Sequence, residues 1–233
     1  MNIKDITPPI LFRLFKKGKG IVSFFNGGYT FTKLKNRETI YLYAGDVPDK
    51  EEYKRYIGLS LSQKNNRHIQ HDVTKKYPLP DNCVSVYQSE DVFEHIPLAI
   101  LPTVINEIYR VLKPGGVFRL SIPDYRCNIL NDRTLKDKSG ELTFDPVGGG
   151  AFKDGKVVEG GHVWFPKYEI VKNMLEKTLF KKILFYHYYN EMGEGITNKI
   201  DYSVGYVQRT PDHDERVRNP YRPMSIVVDC IKD

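Results

Sequence analysis

The chain has 233 residues with 35 Lys+Arg against 29 Asp+Glu, a formal net charge of +6, and 40% hydrophobic residues. That length fits one large domain or one domain with an insertion, and the apolar content with 16 Tyr, 12 Phe and 1 Trp excludes an intrinsically disordered chain. No apolar run is long enough to span a bilayer. Cys83, Cys127 and Cys230 are odd in number and widely spaced. They fit neither a disulfide framework nor a CxxC metal site, and so point to a reducing, cytoplasmic setting. The basic residues are scattered, which suits a small anionic ligand and not DNA or RNA.

Residues 1–36 form a lead-in. Pro8-Pro9 opens a short amphipathic helix with Ile10, Leu11, Leu14 and Phe15 on one face. Its positive charges follow the apolar stretch, the reverse of a signal peptide. The plain expectation for this face is packing on the parent domain or a partner; the sharper one is peripheral contact with an anionic membrane surface. Short apolar runs then predict strands at Thr39–Tyr43, Tyr56–Leu61, His68–His71 and Cys83–Tyr87. Leu101, Val104, Ile105, Ile108, Val111 and Leu112 recur at helical spacing and predict a helix from about Leu98 to Leu112. Lys113-Pro-Gly-Gly116 ends it, and Val117–Ile122 reads as a fifth strand. Residues 126–165 are rich in Asp, Gly and Lys without periodicity and read as an irregular insertion or lid. Residues 166–233 supply a helix near Pro166–Thr178 and strands at Lys182–Tyr189 and Met224–Ile231, with an irregular acceptor-side segment at 190–222. The order of elements predicts an α/β sheet with helices on both faces, its core lying within residues 37–125.

Ligands of such sheets bind beyond the carboxyl ends of the strands. Those ends read Ala44-Gly45-Asp46, then Ser60-Leu61, then His71-Asp72-Val73, then Gln88-Ser89-Glu90 with Glu94-His95, and finally Pro123-Asp124-Tyr125-Arg126. Asp72 with Pro78-Leu-Pro-Asp81, Ser89-Glu-Asp-Val-Phe-Glu-His-Ile96, Glu107-Ile-Tyr-Arg-Val-Leu-Lys-Pro-Gly-Gly116 and Phe118-Arg-Leu-Ser-Ile-Pro-Asp124 follow one another in order. Over residues 39–125 this arrangement resembles the class I S-adenosylmethionine-dependent methyltransferases of the type 11 kind. The ending Gly205–Arg209 through Met224–Asp229, and the opening Ile-Thr-Pro-Pro-Ile-Leu, are similar to a subgroup associated with surface-polysaccharide synthesis.

The resemblance implies a Rossmann-like sheet, mostly parallel with an antiparallel last strand, and S-adenosylmethionine as cofactor. It places Ala44, Gly45 and Asp46 at the glycine loop and Ser60 with Leu61 at the ribose end of the second strand. It sets Asp72 and Val73 at the adenine, Ser89 and Glu90 beneath the cofactor, and His95 at the mouth of the site. Ser60 stands where the family usually has an acid. The implied acceptor is a sugar nucleotide or a phosphorylated or glycan intermediate. A sugar hydroxyl needs a base, for which His162, His95 and Asp124 are the candidates, His162 being preferred. Each also has a structural reading, as a surface histidine, a helix-start residue and a turn cap respectively. Tyr125, Arg126, Trp164 and Arg209 are the expected acceptor-binding residues, since guanidinium forks suit phosphate or carboxylate. No structural metal is expected from the spacing of His68, His71 and His213, and a substrate-bridging Mg²⁺ stays open. A nicotinamide-dependent enzyme would need the absent GxGxxG after strand one. A noncatalytic scaffold that kept the fold is the alternative, and homo-oligomerisation stays open.

Overall fold

The computed structural model describes residues 28–233, so the helix expected near Pro8–Phe15 lies outside the described residues. A short helix α1 (Phe31–Lys35), whose Lys33 amide donates to the Thr30 hydroxyl, leads into strand β1 (Tyr41–Ala44). Strands β2 (Ile57–Ser60), β3 (His68–Gln70) and β4 (Val84–Glu90) follow. Helix α2 (Leu101–Val111) runs into the long strand β5 (Leu112–Pro123). The insertion, expected to be irregular, contains α3 (Asn128–Asn131) and two hairpins. These are β6 (Leu135–Lys136) with β7 (Leu142–Phe144), and β8 (Ala151–Lys153) with β9 (Lys156–Val158). Strands this short, with exposed or half-buried side chains, leave no apolar alternation for the sequence to display. Helix α4 (Tyr168–Glu176), β10 (Lys182–Tyr189), β11 (Gly195–Thr197) and β12 (Ser225–Ile231) complete the chain.

Eight strands form one sheet in the order β11-β10-β12-β5-β4-β1-β2-β3. The pairings among β1 to β5 are parallel, whereas β12 runs antiparallel to both β5 and β10. This is the expected mostly parallel sheet with an antiparallel last strand. Residues 45–56, joining β1 to β2, are too few for a full crossover helix and carry a 3-10 turn at Glu51–Tyr53. The order in which strands are added reverses between the parallel neighbours β1 and β4, which opens a crevice at their carboxyl ends.

The two faces of the sheet differ in chemistry. On one, Leu42, Leu120, Ile122, Ile226 and Val228 join the buried apolar residues of α2 and α4 in the main core. Five side chains of α2 are buried there, at roughly 1.5–3 kcal/mol each as an upper bound. Alternation along the strands puts Tyr43, Gln88, Glu90, Arg119 and Asp229 on the other face, and all are buried. Tyr43, Tyr53 and Tyr56 pack edge to face there. Residues 201–208 cover this polar layer and bond to its Gln88, Glu90 and Arg119, while the Tyr43 hydroxyl stays buried without a partner. Arg119 makes paired 2.7 Å bonds to Asp229, and its Nη1 donates to the carbonyls of Asp201 and Gly205. Gln88 donates to the Tyr206 carbonyl, while Glu90 accepts from Tyr53, Gln88 and the Gln208 amide. Burial raises the Glu90 carboxyl to about 7.

Two expectations follow. Arg119→Met leaves Asp229 an unpaired buried charge and should cost about 3–5 kcal/mol in urea unfolding; a loss under about 1 kcal/mol would mean that the pair is not what anchors residues 201–208. Glu90 binds its proton more tightly folded than unfolded, so its contribution is complete below pH 4.5 and is lost as pH rises through about 7. The stability advantage of the wild type over Glu90→Gln should therefore shrink across that window, measured by thermal melts at stepped pH.

Candidate functional site

A cavity of about 320 Å³ opens at the carboxyl ends of β1, β2, β3 and β4. Its wall takes Gly45 and Asp46 after β1, Leu59 to Ser62 at the end of β2, and His71 to Thr74 after β3. Val92 and His95 to Pro97 come from the segment after β4, and Gly160 comes from the insertion. Six of the nine expected cofactor residues are thus together: Gly45, Asp46, Ser60, Leu61, Asp72 and Val73.

The local geometry explains much of this wall. Gly45 has φ +86°, which a side chain would strain, and this lets the backbone turn sharply out of β1. Asp72 Oδ1 accepts from the amide and hydroxyl of Thr74, which fixes the loop after β3. The Ser60 hydroxyl accepts from the amides of Ser62 and Gln63, so it shapes its own turn at the end of β2. Leu61 stands 56% exposed on the wall, an apolar surface facing the cavity. His71, which the sequence showed only as part of the polar rim, also lines the cavity. Its Nε2 is buried without a hydrogen-bond partner, and burial lowers its pKa.

Ala44, Ser89 and Glu90 are not part of the wall. Ala44 is buried in the apolar core, and Ser89 is fully buried. The Glu90 side chain points to the opposite, polar face, where Tyr53, Gln88 and Gln208 hold it. Alternation along β4 sends the Glu90 side chain to that face, which a count of positions along the strand end does not reveal. Tyr43, two residues before Gly45, likewise sits on the polar face and does not crowd the glycine turn.

Of the expected catalytic residues, His95 is the one on the wall. Asp124 is a buried turn cap, accepting from the amides of Arg126 and Tyr189, and burial raises its carboxyl to about 6. His162 lies behind His95, with ring centroids 4.6 Å apart. Burial, then the neighbouring His95, push His162 down to about 2. Its position is built by docking of the insertion onto the 3-10 turn Phe93–His95. The Val163 amide donates to the Glu94 carbonyl at 2.9 Å, and the Trp164 indole donates to the Phe93 carbonyl at 3.0 Å. Gly148 makes room for the ring, since a Cβ there would come within 2.8 Å of it.

This docking creates a cluster that no sequence spacing revealed. Glu94, His95 and His162 bring potential ligand atoms within 4.8 Å of one another. His162 Nε2 is 3.5 Å from Glu94 Oε1, and His95 Nε2 is 3.8 Å from the same oxygen. Glu94 is fully buried and its pKa is raised, first by burial and then by Asp91.

The expected acceptor residues take other parts. Trp164 is buried in the core, and Tyr125 is buried beside His162 with its hydroxyl donating to Asp145. Arg126 pairs with Glu169 at 2.6 Å, and Arg209 pairs with Asp91 at 2.9 Å. Neither guanidinium lies on the cavity wall.

Residues 48–120 match the family model described as a methyltransferase domain. A probable S-adenosylmethionine-dependent methyltransferase of Mycolicibacterium smegmatis is 35% identical over 80 residues, covering 30% of this chain and 30% of that protein. The chain therefore spans under a third of the length of this curated relative. Among solved structures, an S-adenosylmethionine-dependent methyltransferase from Clostridium acetobutylicum superimposes with a TM-score of 0.50 at 13% identity, covering 87% of each chain. One from Archaeoglobus fulgidus gives 0.49 at 15% identity, covering 87% of this chain and 89% of its own. The fold is that of the Rossmann-like methyltransferases, and the segment matching their domain contains most of the cavity wall.

Proposed function

We propose that the chain is an S-adenosylmethionine-dependent methyltransferase that O-methylates a small anionic acceptor, and that the cavity at the ends of β1 to β4 holds the cofactor. The observation that carries this reading is the convergence of Gly45, Asp46, Leu61, Asp72 and Val73 on one wall. The residues present fit the group. The positive φ of Gly45 permits close backbone approach, Leu61 and Val73 supply apolar surface, and Asp72 and His71 supply polar groups. A volume of about 320 Å³ lies within the range of ligand cavities, roughly 300–1,000 Å³.

Bound there, the cofactor supplies a sulfonium methyl for in-line displacement, so catalysis rests largely on alignment. The protein's part is to hold the acceptor where His95 and Gly160 border the cavity, at the junction of the strand ends and the insertion. We assign residues 126–165 to enclosing this border and residues 37–125 to the cofactor. An anionic acceptor agrees with the net charge of +6. A sugar, nucleotide sugar or phosphorylated intermediate of capsular or surface-polysaccharide synthesis is the acceptor class supported by the resemblance of the Gly205–Arg209 and Met224–Asp229 segments.

The test is calorimetric titration with S-adenosylhomocysteine, with thermal unfolding read in parallel. Saturable binding should stabilise the fold by about 2.7 kcal/mol at 100 times Kd. Asp72→Ala should abolish that gain. No stabilisation at millimolar ligand would contradict the assignment and leave the noncatalytic scaffold as the better reading.

A further inference from the structure

The hydrogen bonds around His162 determine which of its nitrogens carries the proton. Asp145 is buried and paired with Arg133 at 2.6 Å, so it is a carboxylate and accepts only. The single hydroxyl proton of Tyr125 goes to Asp145 Oδ2 at 2.7 Å. The contact between the Tyr125 hydroxyl and His162 Nδ1 is then made by Nδ1–H, with the tyrosine oxygen accepting. A neutral imidazole in this tautomer carries its lone pair on Nε2. That lone pair faces Oε1 of Glu94, and both oxygens of Glu94 are buried without a hydrogen-bond partner.

A buried carboxyl oxygen facing an imidazole lone pair calls for something positive between them, a proton or an ion. A proton shared by nitrogen and oxygen would draw the atoms to about 2.7–3.2 Å. The observed 3.5 Å is too long for that. It matches the ~3.4 Å between neighbouring ligands of a tetrahedral ion with bonds near 2.1 Å. The 3.8 Å from His95 Nε2 to the same oxygen is close to this spacing. The chain from Asp145 through Tyr125 to His162 Nδ1 is the kind of outer support that fixes a metal-bound imidazole.

We propose that Glu94, His95 and His162 form a binding site for a divalent first-row transition metal of the zinc type. Two imidazoles with one carboxylate favour such an ion over Mg²⁺ or Ca²⁺, which take oxygen ligands. Three protein ligands leave a coordination position open, as in catalytic sites. His95 borders the cavity, so an ion held by the three residues would lie beside it and would supply Lewis-acid chemistry toward an acceptor oxygen there. The site assigns His162 and His95 a joint role as ligands in place of the separate role of base. It lies beside the cavity assigned to the cofactor but does not depend on that assignment.

The test uses the full chain, stripped with a chelator, desalted and titrated with Zn²⁺ and separately with Co²⁺. One equivalent of either ion should bind, with Co²⁺ giving the visible absorption of a low-coordinate site. Glu94→Gln and His162→Gln should each lose stoichiometric binding, and Tyr125→Phe should weaken it roughly 10–100-fold. If a core variant fails to fold by circular dichroism, His95→Gln at the cavity border serves instead. Absence of Co²⁺ uptake by the wild type, or equal uptake by folded ligand variants, would overturn the proposal. Metal uptake is read without cofactor and S-adenosylhomocysteine stabilisation without metal, so either assignment can fail while the other stands.

Discussion

The docking of the insertion onto the turn after β4 is the contact on which the site depends. Two hydrogen bonds, from Val163 to the Glu94 carbonyl and from Trp164 to the Phe93 carbonyl, tie segments about 70 positions apart. They seat His162 against Glu94 and place Gly160 on the cavity wall. Glycine at 148, 150 and 161 makes this approach feasible, because side chains there would meet the His162 ring or neighbouring backbone. The Gly-rich composition that makes the insertion look like a loop is therefore a requirement of close packing.

A second constraint holds the far face of the sheet. Related sheets are covered by helices packed through apolar side chains, but here residues 201–208 lie across a layer of Tyr, Gln, Glu and Arg. Their own carbonyls and amides supply partners to Gln88, Glu90 and Arg119. The Arg119–Asp229 pair tolerates burial because its geometry is bidentate and Nη1 has further acceptors. Such a layer specifies one placement of the covering segment more sharply than apolar packing would. It also carries Arg209, at the end of that segment, to Asp91 beside the Glu94 cluster.

Much of this was legible in the residues. Apolar runs gave the sheet strands β1 to β5, β10 and β12 to within a few positions at their ends, and helical spacing gave α2. Reading the strand ends found Gly45, Asp46, Ser60, Leu61, Asp72, Val73 and His95, because a parallel sheet brings those ends together whatever the details. What failed was anything that required knowing a side chain's face or a long-range partner. Glu90 and Tyr43 fall on the polar side by strand alternation, and Asp124 is held by the distant Tyr189 amide. Trp164 and Tyr125, expected at the acceptor, are both buried where the insertion docks. Glu94 stands beside His95 in the polar rim after the fourth strand, but nothing in the sequence assigns it a role, since its partner His162 is supplied by a contact that no spacing encodes.

Strand ends and insertion tip border one cavity, which we propose holds the cofactor. Hydrogen–deuterium exchange with and without saturating S-adenosylhomocysteine should show added protection together at residues 44–47, 59–62, 71–74, 92–97 and 160–161. Protection confined elsewhere, or unchanged exchange at all of these segments, would contradict that proposal.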